Sequence, residues 1–103
     1  MKNVRAEVLF ALWGMAKLEC FTIPGIELWF FSHDHLPPHF HAKRRGQWEI
    51  RVFFLEGSTS EVFQVVWPKG KEIPKGDIKF LEANVKALRA EILEEWERKV
   101  LPQ

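Results

Sequence analysis

Apolar side chains recur at every third or fourth position near the end of the chain. Ile78, Leu81, Val85, Leu88, Ile92 and Trp96 draw one stripe down a helix from about Asp77 to about Lys99. Asp77 stands where a carboxylate can accept the orphan amides of a first turn. Glu82 with Lys86, Glu94 with Arg98 and Glu95 with Lys99 are i,i+4 pairs with the acid first, the favourable order. In the middle of the chain the period changes. Residues 26–32 (IELWFFS), 39–43 (HFHAK), 47–54 (QWEIRVFF) and 61–67 (EVFQVVW) are rich in aromatic and branched side chains, with turn residues between them. Connections this short favour antiparallel neighbours. Val4, Val8 and Leu12 suit a short helix stopped by Gly14, with a strand as the alternative for this segment. The pattern predicts an α+β domain: a four-stranded antiparallel sheet, a long C-terminal helix packed on one face and a short N-terminal helix.

The hairpin between the second and third strands sets which side chains share a face. A two-residue turn at Arg45-Gly46 would set His41 beside Ile50 and Phe40 beside Arg51, mixing polar with apolar. A three-residue loop, Arg44-Arg45-Gly46, pairs His41 with Glu49 and His39 with Arg51. Phe40, Ala42, Trp48, Ile50 and Val52 then share the other face. This register separates the two classes, and a one-residue slip would scramble it. It also gives the loop a glycine, which takes a left-handed backbone without a steric penalty.

A chain of 103 residues makes one domain, residues 1–103. The formal net charge of +1 removes any global electrostatic argument for nucleic acid or membrane as a partner. The single cysteine, Cys20, excludes an internal disulfide and fits a reducing compartment. Next to Phe21 it reads as a small hydrophobe rather than a nucleophile. The uncharged run from Val8 to Ala16 outlines a leader, but Glu7 and Trp13 disturb it, and it is too short to cross a bilayer. The expectation is a cytoplasmic protein with no membrane partner.

All four histidines, His33, His35, His39 and His41, fall within nine residues. His39 and His41 are two apart on a strand, so both rings leave one face, the face turned from the helix. Three readings stand side by side. In the first, Pro37-Pro38 fixes a bend, Asp34 bonds main-chain amides and the histidines bond carbonyls, with no ligand at all. In the second, the segment is a polar recognition surface. In the third, His39 and His41 share a divalent metal (zinc, iron or manganese), His33 or His35 and Asp34 supply a further ligand, and Glu49 is a ligand, a group that orients a ligand or a general base. A metal-free variant of this chemistry uses His39 or His41 as acid and base, with Arg51 or Arg45 steadying phosphate charge. The catalytic candidates are thus His39, His41, Glu49 and Arg51.

His33-Asp34-His35-Leu36-Pro37-Pro38-His39-Phe40-His41 resembles the D-H-x-P-P-H-F-H signature of a small bacterial family, domain of unknown function 4160. Gly25-Ile26, Phe31-Ser32, the strand with Glu49 and the ending Glu94-Glu95-Trp96-Glu97 resemble it too. The likeness spans about residues 22–98 and leaves residues 1–20 as an extra N-terminal segment. It implies a small protein partner, in an arrangement like toxin–antitoxin pairs, and names no activity.

Lys43, Arg44 and Arg45 make a basic hairpin tip that could track a phosphate backbone, with Trp48 and Trp67 near in sequence. The alternative is a solvated turn with both tryptophans in the core. Ser58-Thr59-Ser60 is a turn cluster with no linked base. The leading expectation is a protein-binding module. A metal-assisted hydrolase or nuclease is one alternative, and a metal-free protein that binds or cleaves RNA is another.

Overall fold

The computed structural model describes residues 14–100. One antiparallel sheet runs in chain order: β1 (Met15–Lys17), β2 (Glu27–Phe31), β3 (Phe40–Arg44), β4 (Trp48–Val52) and β5 (Phe63–Trp67). A four-residue helix, α1 (Thr59–Val62), leads into β5, and α2 (Lys75–Lys99) follows. The α+β class and the long terminal helix are as the pattern predicts. The sheet has five strands and not four. β1, three residues long, is too short to carry a visible alternation. α1 occupies the front of the segment read as a strand from residue 61. The short helix expected at Val4, Val8 and Leu12 lies outside the described residues.

Strand alternation sends Leu28, Phe30, Phe40, Ala42, Ile50 and Val52 to one face. There they share a core with Leu81, Val85, Ile92 and Trp96 of α2. Burying each of the larger side chains contributes about 1.5–3 kcal/mol. The helical stripe is interrupted once. Leu88 has φ −123° and ψ 22°, which kinks α2 and leaves this leucine only half-buried. No proline or glycine stands at the kink, and nothing in the structure explains it.

The hairpin holds a second correction. His41 faces Arg51, Lys43 faces Glu49 and Arg44 faces Trp48, so the loop is Arg45-Gly46-Gln47. The pairing sits two residues from the expected one. A period of two cannot sense a slip of two, so both faces keep their composition while every partner changes. Gly46 has φ +76° in a turn closed by the Gln47 N–H on the Arg44 carbonyl at 2.9 Å. No atom lies within 4 Å of where a Cβ would stand, so only the backbone conformation calls for glycine here.

Asp77 does not cap the helix. The segment opens at Lys75 after Pro74, with no side-chain cap. The Asp77 carboxylate instead accepts Arg44 through Nη2 at 2.8 Å and Nε at 3.2 Å, and Trp48 Nε1–H at 3.0 Å. This fork ties the hairpin tip to the first turn of α2. At the other end of α2, Glu95 is buried at 4% exposure. It accepts the Glu19 N–H at 2.9 Å, the Cys20 N–H and the Lys99 ammonium at 3.0 Å. The chain leaving β1 is thereby fastened to the helix.

Candidate functional site

The face of the sheet turned from α2 carries Trp29 and Phe31 on β2 and His41 on β3, with His39 just before β3 and Phe53 just after β4. The loop of residues 32–38 is pinned at both ends. At its start, the Asp34 N–H bonds the Phe31 carbonyl at 3.0 Å, and the Phe31 N–H returns to Asp34 Oδ2 at 2.9 Å. At its end, His39 Nδ1–H donates to the Pro37 carbonyl at 2.9 Å. A carbonyl only accepts, so this ring nitrogen carries the proton.

Both imidazoles then converge on one carboxylate. His41 Nε2 lies 3.0 Å from Asp34 Oδ2, and His39 Nε2 lies 3.4 Å from Asp34 Oδ1. Each histidine is 4% exposed, so the cluster faces away from the helix yet is covered. The rings are walled by aromatics: Trp29 stacks on His41 at 5.3 Å, Phe31 meets it edge-on at 4.7 Å, and Phe53 lies 4.9 Å from His39. His41 Nδ1 is buried and has no hydrogen-bond partner among the described residues.

The electrostatics follow from this geometry. Burial alone would raise the Asp34 pKa, but the bonds from His39, His41 and the Phe31 amide outweigh it and hold the carboxyl well below its ordinary range. Burial likewise works against a charge on His39. The Asp34 carboxylate and the Pro37 carbonyl overcome it, and the pKa is raised above 6.5. The same contacts thus favour the anionic form of Asp34 and the charged form of His39, with His41 Nε2 as a further donor to the carboxylate.

Asp34, His39 and His41 are the predicted residues that come together. Among the described residues, their ligating atoms all lie within 4.8 Å of one another. His35 stays exposed on the loop. Glu49 stands opposite Lys43, one diagonal step from His41, so the expected His41–Glu49 pair is replaced by His41–Arg51. Arg51 is exposed and donates to Gln64 at 2.9 Å, and its charge opposes a proton on His39. Within the basic tip, Arg44 holds Asp77, while Arg45 stays exposed and donates to Glu27 at 2.8 Å. Burial and the Glu95 carboxylate push the Cys20 thiol up to about 12, which leaves it unreactive. The pattern missed the role of Glu95, although three residues beyond Ile92 puts it on the apolar stripe itself. An acid there signals a buried partner.

Sheet, helix and covered carboxylate–imidazole cluster define a small α+β domain whose titratable chemistry gathers under one loop. The chain belongs to the family described as Domain of unknown function (DUF4160), whose model matches residues 25–97. The match runs from the turn before β2 to near the end of α2 and includes the whole cluster. No curated protein and no solved structure matches the chain. Among the described residues, no helix is long and apolar enough to cross a membrane.

Proposed function

We propose that this chain is a protein-binding module that presents the loop of residues 33–37 to a small protein partner, as one half of a pair of the toxin–antitoxin kind. The observation that carries this reading is Leu36. It is 67% exposed, between Asp34 and Pro37, which the buried histidines hold in place. An exposed leucine alone is ordinary. An exposed leucine on a loop anchored at both flanks is different, because a preordered loop loses little entropy on binding. Phe80 is 62% exposed on the outer side of α2 and serves as a comparison. The Arg44 charge, held by Asp77, counts against RNA as the partner. The low exposure of the histidines counts against turnover of a substrate at them.

A photo-crosslinking residue in place of Leu36, introduced in cells of the source organism, tests this. It should capture one discrete protein that the same residue at Phe80 does not. That protein, purified, should bind the chain and lose about thirtyfold in affinity with Leu36→Asp, the effect of a hot spot of about 2 kcal/mol. Equal capture at both positions, unchanged affinity of Leu36→Asp, or recovery of RNA alone would overturn the reading.

A further inference from the structure

Asp34 could have been satisfied by main-chain amides, yet two imidazoles converge on it. The Pro37 carbonyl fixes the Nδ1–H tautomer of His39, so the neutral ring aims its Nε2 lone pair at an anionic oxygen 3.4 Å away. Two electron-rich atoms face each other across that gap, and a cation between them relieves it. A proton on His39 is one such cation. A metal ion is another. A ring that donates its far N–H to a backbone carbonyl is also the arrangement by which proteins orient a metal-ligating histidine.

We propose that Asp34, His39 and His41 form a binding site for one first-row divalent cation, zinc in preference to magnesium or calcium. The ligands are one Asp34 carboxylate oxygen and Nε2 of each histidine. This assignment does not depend on the partner reading above. Two imidazoles and one carboxylate suit zinc, whereas magnesium and calcium take oxygen ligands. Bonds of about 2.0–2.2 Å in a tetrahedral site set ligand atoms on the order of 3.3 Å apart. His41 Nε2 and His39 Nε2 already lie 3.0 Å and 3.4 Å from the Asp34 oxygens, and all the ligating atoms are within 4.8 Å. The two distances run to different oxygens of the carboxylate, so the set closes on one ion by drawing its widest pair in from as much as 4.8 Å. The strand fixes the two rings, and the turn at Phe31 fixes the carboxylate, so the ligands are arranged before the ion arrives. Neutral His39 is already in the ligating tautomer, and the charged ring reaches it by losing the Nε2 proton alone. His41 must pass its proton from Nε2 to Nδ1, which has no partner among the described residues. His39 is thus the stronger anchor. Three protein ligands leave one position for water.

Chelator-stripped full-length protein, titrated with zinc by calorimetry and with cobalt(II) by visible absorption, should bind one ion per chain. His39→Ala should weaken zinc binding by more than the roughly 100-fold that loss of an outer-shell partner costs. His35→Ala should leave it unchanged. Should His39→Ala fail to fold, nitrogen NMR of the wild type decides: zinc should shift Nε2 of His39 and His41 and leave the His35 ring alone. Absence of stoichiometric binding, binding lost with His35→Ala, or zinc shifts confined to the exposed histidines would overturn the site.

Discussion

Asp34 under the loop and Glu95 at the end of α2 are both carboxylates drawn out of solvent, and they are satisfied in opposite ways. Glu95 takes two main-chain amides and the Lys99 ammonium, which also bonds the Lys17 carbonyl at 2.6 Å and Glu19 at 2.8 Å. Those donors do not change near neutral pH. Asp34 takes one amide and two imidazoles. Imidazoles gain and lose protons in the physiological range and accept metal ions. One anion is a fixture of the fold, and the other is held by exchangeable donors. The difference directs attention to the loop, because a carboxylate needed only for architecture is adequately served by amides and an ammonium, as at Glu95.

Removing each acid sharpens this contrast. Glu95→Ala leaves two amides and a partly covered ammonium without their acceptor, and should cost about 3–5 kcal/mol in denaturant unfolding. The Glu95 pKa is lowered from 4.5; burial opposes this, but the amide and Lys99 bonds prevail. Its stabilisation is therefore complete above the unfolded value and flat through neutrality. Asp34→Asn keeps an acceptor for the Phe31 amide and should cost less, about 1–3 kcal/mol. That smaller penalty should also vary with pH. His39, raised from 6.5, contributes fully below that value and loses its contribution as pH rises through its folded pKa. Asp34, lowered from 3.8, contributes above that value and loses its contribution as pH falls below it. The Asp34→Asn penalty should accordingly be greatest between these limits and shrink as pH rises through the folded pKa of His39. A Glu95→Ala penalty that varies just as strongly across neutrality would erase the comparison.

How far this was legible in the sequence depends on what each pattern can sense. The stripe Leu81, Val85, Ile92, Trp96 marks the helix because burial imposes its period. Alternation marks β2 to β5, and it sorts Phe40 and Ala42 from His39 and His41 correctly. The same alternation misplaces every cross-strand partner in the hairpin, since it is blind to a shift of two. Asp77 looks like a cap because a cap and a salt-bridge partner are the same residue type in the same first turn. Only the long-range fold brings Arg44 and Trp48 to it. Asp34 and the two histidines were visible as a group because they are close in sequence. For Glu95 only the i,i+4 pair with Lys99 was visible, because its two amide partners lie 75 and 76 residues away.

Nitrogen NMR of the four histidines across pH tests the contrast most directly. His39 should carry protons on both ring nitrogens up to a pKa above 6.5, neutral His41 should hold its proton on Nε2, and Asp34→Asn should lower the His39 value. A His39 that loses its charge below 6.5, or that titrates unchanged in the Asp34→Asn protein, would contradict it.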